Sequence, residues 1–406
     1  MKNLNIWIVS HDSQQPPYNT MLRYHNWAKI LVERGHEVTI IGASTVHNTA
    51  IDVVKELGEH ITKVDGVRYI YIDCIQYNNT IKRAINMMMY ISRLKQLKEL
   101  NEKPDLIISS GPFYIRAIRR LYKGIPIIVD VADLWPESIV AYTSLTEKNP
   151  IIRILYKEEQ YAYINANAII FSMEGGKDYL QERKYKDKID FDHVYHINMG
   201  CDLAEFDRNA RLFSAEKTAH SADQFIITYS GSMRPANHII QICEAAKILK
   251  ENNSNIFIRM YGNGPEEEDA KKYCQANHLH NIEFFGRFEK AKLPIILGDS
   301  DANIMTYLQT SIMKYGGSQQ KLFDYLASGK PVINCGTWGY NLVSRYNCGV
   351  VDEQQTAASI ADAMLRISKL PKDELMAMGA RARKVAEMYD QPRLVDQLET
   401  VINSIM

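Results

Sequence analysis

Short apolar runs alternate with helical patterns along the whole chain. In the first half, the runs at 4–10, 37–43, 67–73, 105–110, 126–132, 168–172 and 194–199 read as strands. They are rich in Ile and Val and bounded by polar turns. Apolar positions recur at helical spacing between them, at about 20–34, 80–101, 113–123, 150–166 and 174–182. Residues 201–223 are polar and irregular and read as a linker. The alternation then restarts with strand 225–230, helix 236–251, strand 256–261, helix 264–277, strand 282–286, helix 289–298, strand 302–306, helix 318–328 and strand 331–334. Helical stretches at about 356–369, 373–389 and 391–405 finish the chain. No sequence repeat underlies the two series. The pattern predicts α/β architecture, with two doubly wound, Rossmann-like domains facing a cleft. The expected boundaries are 1–200 for the first domain, 201–223 for the linker, 224–390 for the second domain and 391–406 for a closing helix.

Length and composition agree with this division. The 406 residues suffice for two domains of ordinary size. Hydrophobic residues make up 46% and charged residues 24%, and the formal net charge is zero, which removes any global attraction to nucleic acid. No apolar run is long enough to predict a membrane-spanning helix. Residues 1–9 read as a buried strand that turns polar at Ser10-His11-Asp12, and not as a signal peptide. The six cysteines (74, 201, 243, 274, 335 and 348) lack Cys-x-x-Cys spacing, so reduced, buried thiols are expected. The chain has no Walker A sequence, no Gly-x-Ser-x-Gly elbow and no zinc spacing. Without a dense carboxylate cluster, no metal site and no cofactor are expected.

Residues 318–333, Ser-Gln-Gln-Lys-Leu-Phe-Asp-Tyr-Leu-Ala-Ser-Gly-Lys-Pro-Val-Ile, carry the most chemistry. Ser318 follows Gly316-Gly317 and is expected to cap a helix. Leu322, Tyr325 and Leu326 supply its apolar face, and Gly329 is placed to end it. A glycine-preceded helix start offers free N–H groups and a positive dipole end, which suits a diphosphate. Lys321 adds a point charge, and Asp324 is an acceptor for paired hydroxyls such as those of ribose. An ordinary amphipathic helix with a polar start fits the same residues.

The stretch resembles the nucleotide-sugar-binding segment of the family-four retaining glycosyltransferases of the GT-B fold, and the resemblance extends over essentially the whole chain. It implies a GT-B architecture whose last helix, 391–405, crosses back onto the first domain. It also implies transfer of a sugar from a nucleotide diphosphate, with UDP as the expected carrier. In the family two carboxylates stand eight positions apart here. Asp324 matches the second, but the first position holds Gly316, a departure at the donor-sugar contact. The helix-start amides of Gly317, Ser318, Gln319 and Gln320 are expected to bind the donor diphosphate and Lys321 to stabilise its charge, while the resemblance places Asp324 at the nucleotide.

Other segments carry candidate chemistry as well. Tyr229-Ser230-Gly231-Ser232-Met233-Arg234 follows a predicted strand and precedes a helix, a phosphate-binding setting. Gly231 is expected at the phosphates, Arg234 as their bidentate clamp and His238 as a weaker second cation. Tyr261-Gly262-Asn263-Gly264-Pro265-Glu266 is a family-like turn with a structural role. Arg287, after the next strand, is a candidate for stacking on the base or binding phosphate. Asp130-Val131-Ala132-Asp133-Leu134-Trp135-Pro136 caps a first-domain strand. Its Asp-Leu-Trp-Pro wording is similar to the subgroup that extends bacterial surface polysaccharides, such as capsule or O-antigen. Many relatives place a sugar-contacting His near this point, and Asp133 or Asp130 is expected to stand in its place. Trp135 lies beside them on the acceptor side. The loop after the first strand offers His11, Arg23 and His25 as polar groups for the acceptor. Arg34-Gly35-His36 reads as a structural helix-to-strand turn.

The expected partners are therefore a nucleotide sugar and a lipid-linked or glycan acceptor, with no nucleic acid. Residues 81–124 add a third. They hold ten basic and three acidic residues, a local +7, interleaved with Ile85, Met87, Met88, Met89, Tyr90 and Ile91. A basic, apolar first-domain surface suits an anionic membrane face, though core methionines and solvated bases fit the same pattern. The implied place of work is cytoplasmic, peripheral on the inner face of the plasma membrane. Two further readings are a GT-B nucleotide-sugar epimerase and a non-catalytic subunit that binds a nucleotide sugar.

Overall fold

The computed structural model describes residues 3–19, 22–47, 49–216 and 223–406. The chain divides into two compact units, one of residues 1–198 with 394–406, the other of residues 199–393.

The first unit is built on eight strands: β1 (Asn5–Val9), β2 (Glu37–Ala43), β3 (Ile61–Val64), β4 (Val67–Ile72), β5 (Leu106–Ser110), β6 (Ile127–Val131), β7 (Ala168–Phe171) and β8 (Val194–His196). Their order in the sheet is β3-β4-β2-β1-β5-β6-β7-β8. All pairs are parallel except the edge hairpin β3–β4, where Ile61 faces Ile70. That hairpin is absent from the sequence reading. Strand β3 is short and half-exposed, so its apolar signal is weak. The central strands are buried on both faces, as a sheet covered by helices requires: Ile6, Trp7 and Ile8 in β1, and Ile127 and Ile128 in β6, are fully buried.

The last helix, Gln391–Ile405, has residues 394–406 in the first unit. Leu394, Val395, Leu398 and Ile402 are fully buried. Arg34 pairs with Asp396 at 2.8 Å and also with Glu399, while Tyr195 bonds Ser404 at 3.0 Å. The Arg34-Gly35-His36 turn thus anchors this helix, and Gly35 takes a φ of +94° as its position as a cap demands.

The second unit holds β9 (Phe225–Ser230), β10 (Ile256–Tyr261), β11 (Ile282–Gly286), β12 (Ala302–Thr306), β13 (Val332–Cys335) and β14 (Gly349–Asp352) in one parallel sheet, ordered β11-β10-β9-β12-β13-β14. The chain adds strands to one side of β9 and then returns to its other side at β12. In such sheets ligands bind outside the carboxyl ends of the strands where the order reverses. That point is β9/β12 in the second unit and β1/β5 in the first.

Several expected boundaries move. Residues 201–223 open with a helix, Leu203–Leu212, capped by Asp202, whose carboxylate accepts from Glu205 N at 2.8 Å. Leu203 and Phe206 are buried in it, so the segment is no simple linker up to that point; residues 217–222 lie outside the described residues. The expected helix 80–101 is α-helical only over Thr80–Arg93 and continues as a 3-10 turn over Leu94–Leu100. The expected helix 20–34 runs Arg23–Glu33, and Thr20 and Met21 of the acceptor-side loop lie outside the described residues. Strand β14 was not anticipated at all; Gly349, Val350 and Val351 are only half-buried, and no alternation marks them.

Candidate active site

The loops after β9, β10 and β11 are laced together by their backbones. Gly231 N donates to Tyr261 O at 3.0 Å, Gly262 N to Gly286 O at 2.7 Å and Met233 N to Asn263 O at 2.8 Å. The approach is close enough that a Cβ at Gly262 would sit 1.9 Å from Gly231 O, which only glycine avoids. The helix Gln320–Ala327 packs beside them. Its inner face, Leu322, Phe323, Tyr325 and Leu326, is buried. The Tyr325 hydroxyl accepts from Ser230 N at 2.8 Å and donates to Ser230 O at 3.1 Å, clamping the helix to the carboxyl end of β9.

That clamp places Lys321 over the strand order reversal. Its Nζ donates to the Tyr229 hydroxyl at 3.1 Å and lies 4.4 Å from the Tyr229 ring centre and 5.0 Å from that of Tyr307, the residue that follows β12. A Cβ on Gly231 would sit 2.9 Å from the same nitrogen. Burial pushes the Lys321 amine down to about 7. Gly231 and Lys321 are therefore brought together, while Arg234 stands in the same loop as an exposed side chain with no ion pair among the described residues. His238 closes the short 3-10 turn Pro235–Asn237 at a φ of +49° and is half-buried. Arg287 is exposed after β11, next to Phe288, which meets Tyr261 edge-on at 5.9 Å.

The start of the helix departs from the sequence reading. Its cap position is Gln319, not Ser318, and Gln319 makes no side-chain capping bond. Ser318 is half-buried in the approach to it. The Gln320 amide, expected at the donor, donates to Gly200 O at 2.9 Å and to Asp324 Oδ1 at 3.2 Å, so it serves the fold. Asp324 is half-buried, and it accepts also from the Cys201 thiol at 3.8 Å. Burial raises its carboxyl, against the opposing pull of Lys290 and its two hydrogen bonds.

Gly316, which stands where the first carboxylate is expected, takes a backbone conformation that suits glycine. Its φ of +93° is one that L residues avoid, and a Cβ there would stand 3.3 Å from Gly339 O. At Gly317 a Cβ would stand 2.8 Å from the Trp338 ring. Trp338 meets Tyr307 edge-on at 5.3 Å. An aromatic wall of Tyr229, Tyr307 and Trp338 thus lies along the segment from Lys321 to Gly317. The sequence pattern names Tyr229 only as the start of the phosphate motif and misses Tyr307 and Trp338, because isolated aromatics after different strands carry no spacing signal.

The first-unit candidates separate into buried and accessible ones. Arg23 and Asp130, expected on the acceptor side, are both buried and paired to each other, Nε to Oδ2 and Nη2 to Oδ1, each at 2.9 Å. Arg23 also donates to Asn198 O at 2.6 Å and Ile197 O at 2.8 Å, and Tyr24 donates to Asp130 at 2.7 Å. This pair is an internal brace. His11 is buried too, bonded to Asp12 at 2.7 Å and to Asn86. His25 is buried against Tyr69 at 2.7 Å. On the same loop as His11 it is Asp12 that reaches solvent; burial alone would raise its carboxyl, but the His11 bond and the charges of His11, His47 and Arg83 hold it below the ordinary value. Asp133 and Trp135 sit on the loop after β6. Trp135 is half-buried and Asp133 exposed. Desolvation by the protein around it raises the Asp133 carboxyl above its ordinary value.

Among the described residues no group of three His, Cys, Asp or Glu is placed to hold a metal ion, and all six cysteines are buried and free.

Comparison with known proteins matches each half of the chain to a family model. Residues 23–205 match "Glycosyltransferase Family 4" and residues 211–385 match "Glycosyl transferases group 1". Among solved structures, sucrose-phosphate synthase from Thermosynechococcus elongatus superimposes with a TM-score of 0.75 at 15% identity, covering 98% of both chains. WaaG, a glycosyltransferase involved in lipopolysaccharide biosynthesis, gives a TM-score of 0.68 at 14% identity, covering 98% of this chain and 99% of its own. The structure described as trehalose-6-phosphate from E. coli bound with UDP-2-fluoro glucose gives 0.73 at 11% identity, with 99% of both chains covered. At these identities the likeness is one of fold. No curated protein matches the sequence.

Proposed function

The chain belongs to the family-four glycosyltransferases of the GT-B fold, and from that premise we propose that it is a retaining transferase that moves a hexosyl or N-acetylhexosaminyl group from a UDP-linked donor to a lipid-linked or growing polysaccharide acceptor in surface-glycan synthesis. The observation that carries the donor half is Lys321 held over Gly231 at the reversal of strand order. The likeness to a structure bound with a UDP sugar supports the choice of carrier.

In this reading Lys321, Arg234 and the amides at the start of the helix Gln320–Ala327 stabilise charge that grows on the leaving diphosphate. Asp324 receives the ribose hydroxyls. The bond between the sugar C1 and the phosphate oxygen breaks, and the acceptor hydroxyl bonds to C1 on the same face. Its proton passes to the leaving phosphate oxygen, so no protein nucleophile takes part. Asp133 and Trp135 remain candidates for the sugar and acceptor. His11, Arg23 and Asp130 are withdrawn from contact with ligand because they are buried and bonded to their neighbours.

The membrane belongs to this reading as well. In the helix Thr80–Arg93, Ile81, Ile85 and Met88 share one face at helical spacing and are 75%, 42% and 61% exposed, beside Lys82. No helix among the described residues is long and apolar enough to cross a membrane. An interfacial helix on the cytoplasmic face fits both facts.

Turnover of radiolabelled UDP sugars by the purified chain, with and without a polyprenyl-linked acceptor, tests the proposal. Transfer only in the presence of acceptor supports it. Interconversion of the donor sugar without transfer would make the protein an epimerase. Binding without any turnover would make it a partner subunit.

A further inference from the structure

Lys321 differs from a surface lysine in what surrounds it. An ammonium has three N–H groups, and here one meets the Tyr229 hydroxyl at 3.1 Å. The other neighbours are the Tyr229 and Tyr307 rings and the bare Gly231 backbone. No carboxylate lies within ion-pair distance among the described residues.

The charged and titratable groups around it are few. On its own helix, Asp324 turns to Gln320 and Cys201, and Tyr325 turns to Ser230. From β9 there is Tyr229, and from the residue after β12 Tyr307. In the loop after β10, the half-buried Glu266 acts on Tyr229, and His238 acts on Glu266. Arg234 in the loop after β9 is exposed. Two aromatic faces attract a cation but do not neutralise it, so a half-buried ammonium in this cage lacks a counter-charge until an anion arrives.

We propose that Lys321 takes up a proton from solvent as a diphosphate binds over Gly231, so that the nucleotide sugar and a proton enter the site together. The inference rests on the donor-site reading above. The downward push of burial on the amine, to about 7, agrees with it. The sign follows from linkage: the complex holds more protons than the free protein, so affinity weakens as pH rises above the free amine's value.

Calorimetry on the full chain, with UDP, GDP and dTDP as probes, decides it. At about pH 8 the terminal phosphate is fully ionised, and roughly nine-tenths of such amines are neutral. Titration in buffers of different ionisation heat then reports uptake of about 0.9 proton per nucleotide bound, and Kd weakens by up to about tenfold per pH unit. Lys321→Arg, which stays charged, is expected to bind with no dependence on buffer. Binding of any probe to the wild type with the same heat in every buffer overturns the inference and leaves the donor site standing. Failure of every probe to bind overturns the donor-site reading and the inference with it.

Discussion

Arg23 and Asp130 show how chemistry-bearing side chains can belong to the fold. Both looked like acceptor contacts because each follows a strand or loop where ligands bind. Their mutual two-point bond, the two carbonyls on Arg23 and the Tyr24 hydroxyl on Asp130 leave neither with capacity for a ligand. Removing one member of such a buried pair leaves an uncompensated charge. Asp130→Ala is therefore expected to lower stability by about 3–5 kcal/mol, and an apolar replacement of both residues to recover most of that loss. Thermal melts of the two single variants and the double variant make the comparison, and a loss in the double variant equal to the sum of the two single losses would show that the pair is not coupled. Asp324 is the opposite case, a half-buried carboxylate with oxygen capacity remaining. Asp324→Ala is expected to weaken UDP binding by about 1.5–3 kcal/mol, the range for a hydrogen bond to a charged group. An unchanged affinity in the folded variant removes Asp324 from the site. Arg234, exposed and without an ion pair among the described residues, is expected to act mainly on turnover, since charge on the diphosphate peaks in the transition state. Full turnover by Arg234→Ala with only a raised donor KM would make it a uniform binder.

At the scale of elements, helices meet at a buried carboxylate that no motif announces. Glu159, on the helix Pro150–Asn165, accepts from Tyr179 at 2.7 Å, Tyr163 at 3.2 Å and Tyr185 at 3.3 Å. Burial raises its carboxyl from 4.5 to about 8, although the hydroxyls and Arg183 pull the other way. The folded protein thus holds a proton there that the unfolded chain releases above its own lower value. The stability contributed is full below about 4.5 and is lost as pH rises towards 8. Denaturant unfolding across that window is expected to show falling stability in the wild type and a flatter profile in Glu159→Gln. An identical slope in both would place the titration elsewhere.

The same scale explains what the sequence could disclose. The helix carrying Lys321 was legible because its apolar face, its glycines and its ending all lie in one continuous stretch. The Gly231 loop was legible because strand, glycine and helix follow in order. The Tyr307 and Trp338 wall was not, since it joins residues from the ends of β12 and β13. The fates of His11 and Arg23 were hidden for a related reason. Their partners, Asn86 and Asp130, lie far along the chain, and only the sheet order brings them together. Strands β3 and β14 escaped notice because they are short and only half-buried, which blurs the apolar pattern.

The whole molecule has zero net charge, yet residues 81–124 carry a local +7. The structure redistributes that excess. Arg116 pairs with Glu158 at 2.8 Å and stacks on Tyr161, Arg119 holds the carbonyls of Asn165 and Ile125, and Arg93 donates to Asp73 O. Those three brace the fold, and reversing Arg119 would disturb it without reporting on a membrane. The surface available to lipid is instead the outer face of the helix Thr80–Arg93, where Ile81, Ile85 and Met88 lie beside Lys82. Each basic residue near an anionic surface contributes about 1 kcal/mol, an attraction that salt screens. Apolar burial contributes about 25 cal/mol per Å2 and resists salt. Binding to phosphatidylglycerol vesicles is therefore expected to weaken with salt but not to vanish. Replacing Ile81, Ile85 and Met88 with Ser is expected to release the protein at every salt concentration while UDP affinity stays unchanged, because the proposed donor site lies in the other unit. Vesicle sedimentation reads both effects. A wild type that stays in the supernatant at low salt would mean that the exposed apolar face does not seek lipid, and the acceptor would then be sought among soluble glycans.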